Sequence, residues 1–316
     1  MTSAPDLMHA RIIRKRMLTS DVCEFTLAVE IEIPTPIEPG SHITVETPAG
    51  AMRRYSLVND EQNSLKNYVI AVKREVNSRG GSISMHDQTE ESAVLRISAP
   101  ENTFQLKDAP EYLLIAGGIG ITPIFSMAHH LDVQGKSFRI IYCSRSREES
   151  PYLIELEKSF GPKLIVNHTN GNSECRFDFW DIFEHIINMH VYCCGPEPLM
   201  EEIKAVSGHW PEGRINFEEF HPVAITHADD ISFMVTLSKS NQTIEVPNDR
   251  SILEAVRDAG IPTTSSCESG TCGSCKTRLI GGDVDHRDMV LMEDEKEDQI
   301  MICVSRAASG DLAIDL

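Results

Sequence analysis

Three patterns of hydrophobic and polar positions follow one another along the chain. Over residues 1–104, RIIRKRMLTSDVCEFTLAV, HITVETP and NYVIAVKRE alternate apolar with polar positions, with turn residues such as Pro39-Gly40 between them. Such alternation turns one face of each strand to a core, and many short strands separated by turns predict a small antiparallel β-barrel. The pattern changes near Glu111, where YLLIAGG forms a continuous apolar run. Runs of that kind suit parallel strands buried on both faces. FRIIYCS, KLIVNH, HVYCCG and RINFEEF follow, with helical spacing in SPYLIELEKSF and EPLMEEIKAVSGHW between them. Alternating strands and helices predict an α/β parallel-sheet domain over residues 105–223. HPVAITHADD, residues 221–230, has little periodicity and reads as a linker. From Ile231, FMVTLSKSNQTIEVP predicts a hairpin and SILEAVRDAG a short helix, with Ser251 at its start and Gly260 at its end.

Composition narrows the class. A chain of 316 residues favours two or three domains, and 41% hydrophobic with 24% charged residues is ordinary for a globular protein. The net charge of −19 argues against nucleic acid, which needs clustered Lys and Arg. MTSAPDLMHARIIRKRM shows no apolar stretch after its basic residues, so no signal peptide is expected. YLLIAGGIGITPIFSMA, residues 112–128, is short for a bilayer span and broken by glycines and Pro123, so no membrane association is expected. Nine cysteines in such a chain point to reduced cytoplasm. Residues 231–316 hold 15 Asp and Glu against 8 Lys and Arg. The stretch MEDEKED makes this segment a candidate docking face, a solvated loop being the blander reading.

The densest chemistry lies in CESGTCGSCKTRL. Cys267, Cys272 and Cys275 stand at C-x4-C-x2-C, and the cysteine downstream is Cys303. That is the plant-type ligand spacing of a [2Fe–2S] cluster. The small residues Ser269, Gly270, Gly273 and Ser274 let a loop wrap closely and aim N–H groups at sulfur. Structural zinc more often uses two short cysteine knuckles, and a redox dithiol leaves Cys267 and Cys303 unexplained. The other cysteines, Cys23, Cys143, Cys175 and Cys193, are expected to be mostly buried packing residues.

Two further turns point to nucleotides. GGIGITP, residues 117–123, follows a strand and opens a helix, with Thr122 as a candidate N-cap and Pro123 at the first helical position. CCGP, residues 193–196, ends a later strand, and both turns are expected at the carboxyl edge of one sheet. In the first segment RRYS, residues 53–56, and SRGGS, residues 78–82, suit a phosphate, although edge charges and an ordinary turn explain them too.

Taken in order, RRYSL, VIAVKRE with SRGGSIS, GGIGITP, YCCGP, NFEEF and SSCESGTCGSCKT ending at MICVSR resemble one family over essentially the whole chain. It is the phthalate dioxygenase reductases, flavin-dependent reductases of Rieske-type aromatic-ring oxygenase systems. The resemblance implies an FMN-binding β-barrel over 1–104, a NAD-binding α/β domain over 105–223 and a β-grasp plant-type ferredoxin domain over 231–316. It implies an NADH-oxidising enzyme that reduces FMN, then a [2Fe–2S] cluster, then the oxygenase. FMN contacts are implied at Arg53, Arg54, Tyr55, Ser56, Ala71, Val72, Lys73, Arg79, Gly80, Gly81, Ser82 and Thr122, with Phe220 packing on the flavin. The pyridine nucleotide is implied at Gly117, Gly118, Gly120, Cys194, Gly195 and Pro196. Ser56 and Cys194 are the catalytic candidates, and Cys267, Cys272, Cys275 and Cys303 the cluster ligands. Two places depart from or strain the pattern. Arg54 stands where the family carries a small polar residue. CSRSREES, after the second nucleotide-domain strand, is compatible with NADPH as well as the favoured NADH. A monomer is expected, because the electron path lies within one chain. Reduction of another monooxygenase, and an iron–sulfur redox sensor, are the alternative readings.

Overall fold

A computed structural model of the chain describes residues 7–29, 37–59, 67–76, 80–220, 229–265, 270 and 273–316. They form two compact units, Leu7–Phe220 and His221–Leu316.

The first unit opens with β1 (Met8–Met17), β2 (Val22–Val29), β3 (His42–Glu46), β4 (Met52–Ser56), β5 (Asn67–Lys73), α1 (Gly81–Asp87) and β6 (Val94–Ile97). The strands lie in the order β4-β3-β6-β1-β2-β5, every pair antiparallel. Beyond β4, Leu57 bridges Ile70 of β5, so the two edges of the sheet meet and the barrel closes. The alternation read from the sequence fills its inside. Ile12, Phe25, Leu27, Ile43, Val45, Ile70 and Val72 are fully buried in one cluster. Each such side chain stabilises the fold by roughly 1.5–3 kcal/mol.

The same unit continues through β7 (Glu111–Gly117), α2 (Ile121–Val133), β8 (Ser137–Ser144), α3 (Leu153–Phe160), β9 (Leu164–His168), α4 (Trp180–Phe183), β10 (His190–Cys194), α5 (Glu197–Ser207) and β11 (Ile215–Glu218). These strands are all parallel, in the order β11-β10-β7-β8-β9. The continuous apolar run in β7 is explained by its two covers. Leu114 and Ala116 pack in the cluster holding α2 and α3, while Leu113 and Ile115 pack in the cluster holding Phe183 of α4 and Met200 of α5. The first of these clusters also includes Val22, Val58 and Ala71, so one core joins barrel and parallel sheet. A polar brace adds to it: the Tyr152 hydroxyl donates to Glu24 Oε2 at 2.9 Å, and Arg16 grips both oxygens of Glu24 at 3.1 and 3.0 Å.

The second unit contains β12 (Phe233–Leu237), β13 (Gln242–Val246), α6 (Ile252–Asp258), β14 (Lys276–Asp285), β15 (Gln299–Met301) and β16 (Arg306–Ile314). The order is β13-β12-β16-β14-β15; β12 and β16 run parallel and the other pairs antiparallel. The expected hairpin is β12–β13, and the expected helix is α6. Ser251 and Glu254 form a reciprocal capping box at the start of α6, and Gly260 takes a positive φ just beyond its end. Most of the linker, residues 221–228, lies outside the described residues. Asp230 at its end is anchored, with its two oxygens accepting from Arg287 at 2.6 and 2.8 Å and facing Arg306 at 3.4 Å.

Candidate functional site

Counting the parallel strands in chain order gives 5-4-1-2-3, so the winding reverses between β7 and β10. Open α/β sheets bind ligands outside the carboxyl ends of the strands at such a reversal. GGIG leaves β7 there and CGP leaves β10 there. The two turns touch backbone to backbone. A Cβ on Gly120 would lie 2.2 Å from the Cys194 carbonyl oxygen, and one on Gly117 would lie 2.5 Å from the Pro196 ring. Only glycine allows this approach, which leaves a shallow saddle lined by main chain. Gly118 bends the turn with a positive φ.

Thr122 does not cap the helix. A single tight turn over residues 118–120 leads into α2, which begins at Ile121 with Gly120 at the N-cap. Thr122 is therefore already helical, buried, and donates from Oγ1 to the Ile119 carbonyl at 3.1 Å. The contact of Gly120 with Cys194 sets this start, and Pro123 sits two residues inside it.

Two elements bring polar groups to the saddle. β10 and β11 pair Cys194 with Glu218, and β4 ends at Ser56. The Oγ of Ser56 and the Oε2 of Glu218 are buried atoms without a hydrogen-bond partner among the described residues. Burial pushes the Glu218 carboxyl up to about 7, against opposing influences from the Arg54 charge and the Ser56 hydroxyl. Burial, reinforced by the Glu218 charge, pushes the fully enclosed Cys194 thiol far above its ordinary range. Cys194 is thus a neutral thiol packed under the site and not an activated nucleophile. Glu218 was missed in the sequence, although it lies in the quoted NFEEF. Its signal is the pairing register, because a glutamate at the carboxyl end of the outermost parallel strand ends beside the cysteine of CGP.

On the barrel, consecutive residues of β4 face opposite ways. Arg53 lies against the Gly80–Gly81 turn, where a Cβ on Gly81 would meet its side chain at 3.3 Å. Arg54 turns elsewhere and donates from Nη2 to Thr103 Oγ1 at 3.1 Å and to His42 Nδ1 at 3.2 Å. Tyr55 packs on the barrel core, and burial pushes its hydroxyl up to about 12. In β5 the Ala71 side chain joins the shared core, Val72 points into the barrel, and Lys73 pairs with Glu75 at 3.0 Å. The Val72 carbonyl is engaged by the His86 ring at 2.8 Å, so Val72 offers a ligand little besides its N–H. Gly80 carries a positive φ, and Ser82 Oγ accepts from the Glu75 N–H at 3.0 Å. Arg79 lies outside the described residues. Phe220 packs on the shared core at the end of the unit.

The loop after β8 settles where its cations go. Arg147 makes a two-pronged pair with Glu157 of α3 at 2.7 and 2.6 Å, while the exposed Arg145 lies 4.0 Å from Glu149. Ser144 bonds the His168 ring at 2.9 Å and Ser150 at 2.7 Å. In the second unit Cys275 and Cys303 are both buried in its core. Gly270 and Gly273 both take positive φ, and a side chain on Gly270 would strike Val304. Cys267 and Cys272 lie outside the described residues. Of the remaining cysteines Cys23 and Cys193 are buried and Cys143 half-buried, but Cys175 is exposed, because its segment is a short turn on the surface and not a strand.

Comparison with known proteins agrees with this geometry. Residues 235–308 match the family model of the 2Fe-2S iron-sulfur cluster binding domain. The chain is 47% identical to the phthalate 4,5-dioxygenase oxygenase reductase subunit of Pseudomonas putida, covering 97% of this chain and 96% of that one. It is 46% identical to the phthalate dioxygenase reductase of Burkholderia cepacia, covering 98% and 97%. The chain belongs to the phthalate dioxygenase reductase family. A solved phthalate dioxygenase reductase, described as a modular structure for electron transfer from pyridine nucleotides to [2Fe–2S], superimposes with a TM-score of 0.86 at 45% identity, covering 98% of each chain.

Within that family the donor set fits the expected groups. Two buried thiols flanked by positive-φ glycines suit a sulfide-bridged iron cluster. A cation facing a glycine turn, with an unpaired buried hydroxyl at the end of the same strand, suits a phosphorylated ring cofactor. The saddle at the strand reversal suits a dinucleotide. Arg54 is turned away from the side where Arg53 meets the glycine turn.

Proposed function

We propose that this chain is the NADH-oxidising reductase of a Rieske-type aromatic-ring oxygenase, working as a monomer with FMN and a [2Fe–2S] cluster. The observation that carries the reading is the convergence of Ser56, Cys194 and Glu218 on the glycine saddle between β7 and β10. When bound, FMN supplies acceptance of a hydride and the cluster supplies single-electron transfer; the chain supplies binding, orientation and charge. Arg53, with Arg79, Gly80, Gly81 and Ser82, holds the cofactor phosphate. Ser56, Thr122, the β5 backbone from Ala71 to Lys73 and Phe220 are the residues that would hold the ring. Gly117, Gly118, Gly120, Gly195 and Pro196 seat the pyridine nucleotide. Cys194 and Glu218 would border the nicotinamide, Glu218 with a titratable carboxyl. Cys267, Cys272, Cys275 and Cys303 ligate the iron. The engagement of Arg147 by Glu157 removes one guanidinium fork from a 2′-phosphate, while the exposed Arg145 stays available, so the choice of NADH rests on the family resemblance.

Anaerobic titration with NADH, and separately with NADPH, tests the reading through absorption and electron paramagnetic resonance. Flavin bleaching with a reduced-cluster signal at low NADH is the expected result. Bleaching without any cluster signal breaks the proposed link between the saddle and the cysteines. Adding an oxidised Rieske-type oxygenase after NADH should then return both signals; persistence of the reduced signals removes that partner.

A further inference from the structure

We propose that Asp288 is a positioning residue of the iron–sulfur site: its buried carboxylate clasps the cysteine loop to the turn that follows Cys303 and fixes a negative charge beside them. The proposal rests on the functional reading above, which assigns the cluster to Cys267, Cys272, Cys275 and Cys303, and adds a residue outside that set. Residues 286–291 follow β14 and form a wall behind the cysteine loop. The Met289 N–H donates to the Gly270 carbonyl at 3.1 Å. A Cβ on Gly270 would lie 3.3 Å from the Asp288 Cα, and one on Gly273 would lie 3.5 Å from Val290 Cγ1. Leu291 packs in the same core cluster as Cys275 and Cys303.

Asp288 holds that wall in shape. Its Oδ2 accepts from the Val290 and Leu291 N–H groups at 3.1 and 2.8 Å, and its Oδ1 accepts from the Ser305 hydroxyl at 3.5 Å. Ser305 lies two residues beyond Cys303 and is fully buried, and its Oγ accepts in turn from the Arg287 N–H at 3.2 Å. One side chain thereby joins the segment behind the cysteine loop to the turn after Cys303. An aspartate is rarely buried completely without a paired cation, yet the Asp288 side chain has no exposed area. Among the described residues the group within ion-pair distance is His286, whose Nδ1 lies 3.7 Å from Oδ1 and makes no hydrogen bond. Arg287, the neighbouring cation, is turned to Asp230 and Asp285. The carboxylate is thus held by N–H and O–H dipoles more than by a counter-charge, where water does not screen it. Adding an electron makes a [2Fe–2S] centre more negative, so a fixed carboxylate nearby opposes its reduction.

The test compares full-length, flavin- and cluster-loaded wild type with D288N and D288A. In D288N one oxygen still accepts from Val290 and Leu291, and the amide nitrogen can donate to His286 Nδ1 or Ser305 Oγ, so the clasp survives while the charge goes. Redox titration followed by electron paramagnetic resonance should give a cluster midpoint raised in D288N by about 59 mV, a tenfold gain in the reduced-to-oxidised ratio at fixed potential. Loss of cluster absorption to a chelator should stay within about twofold of wild type in D288N and run about tenfold faster in D288A, where both holds are gone. A merely structural Asp288 leaves the D288N midpoint where it was, and that result overturns the proposal. So does a D288A protein that keeps its cluster as long as wild type. If D288N does not fold, S305A removes the hydroxyl between Arg287 and Asp288 and keeps the charge. Faster cluster loss at an unchanged midpoint is then expected, and loss at the wild-type rate overturns the proposal. A wild type without any [2Fe–2S] signal sinks the functional reading and the proposal with it, whereas an unmoved D288N midpoint in loaded protein sinks the proposal alone.

Discussion

Two buried groups near the site titrate in opposite senses, and the stability of the protein should show it. Unfolded His42 takes a proton below its ordinary 6.5, while folded His42 resists until about 3. The unfolded state therefore binds more protons in that window, and stability rises with pH from about 3 to 6.5. Folded Glu218 keeps its proton to about 7, whereas the unfolded carboxyl releases it near 4.5. Here the native state binds more protons, so this contribution is full below 4.5 and fades as pH rises to 7. Between pH 4.5 and 6.5 the two slopes oppose each other. E218Q should make the unfolding temperature climb more steeply with pH across that interval, relative to wild type, and H42Q should make it fall. Calorimetry at four or five pH values decides, and parallel curves for all three proteins would show that neither group is buried as described.

At the scale of elements, the site is held by backbone approach and by pairing register. Gly120 shows the first. Its missing Cβ is what lets α2 start against β10, so G120A must push the Cys194 carbonyl aside. We expect at least a tenfold loss in kcat/KM for NADH, about 1.4 kcal/mol or more, with flavin content retained. Unchanged NADH kinetics would mean that the saddle is not the nucleotide seat. Register is also where the sequence stopped being readable. The cysteine loop, GGIGITP, CGP and the SILEAVRDAG helix were legible because spacing, small residues and caps act within a few positions. Glu218 was not, since its meeting with Ser56 depends on β10–β11 pairing and on barrel closure, both long-range. The orientation of Arg54 depends on His42 and Thr103, which are 12 and 49 positions away. Thr122 misled because a cap is a conformation: the residue type was right, but the tight turn before it moved the helix start by two positions. The second unit has its own long-range tie. Arg306 is 1% exposed and donates to the carbonyls of Arg250, Ile231 and Pro247, with Asp230 beside it. D230A leaves a buried guanidinium without its carboxylate and should lower the stability of this unit by about 3 kcal/mol. Denaturant unfolding followed by loss of cluster absorption measures it, and a loss under about 0.5 kcal/mol would place Asp230 in solvent.

For the whole molecule, the two units divide the labour, and charge bears on which part meets the oxygenase. The glycine saddle proposed to seat NADH lies in Leu7–Phe220, and two of the proposed iron ligands, Cys275 and Cys303, lie in the unit that follows. C303S should therefore keep NADH-to-dye activity within about twofold and lose reduction of a one-electron protein acceptor almost entirely; equal retention of both would detach the cluster from the path. The acidic excess of residues 231–316 is not spread evenly in its effect. Glu293 pairs with Lys296 and Glu295 with Lys276, at 2.6 and 2.9 Å, so part of MEDEKED is neutralised locally. Asp294, Glu297 and Asp298 make no such pairs among the described residues and leave a net negative field on this unit. If a basic patch on the oxygenase meets that field, association is steered electrostatically and weakens as salt shortens the Debye length from roughly 30 Å at 0.01 M to 10 Å at 0.1 M. On the proposed reading, dye reduction draws on the saddle and not on this face. The rate of oxygenase reduction should thus fall several-fold between those salt concentrations while the NADH-to-dye rate holds steady, and D294N with E297Q should flatten the dependence. A salt-independent oxygenase rate would remove charge from the docking and leave the solvated-loop account of MEDEKED in its place.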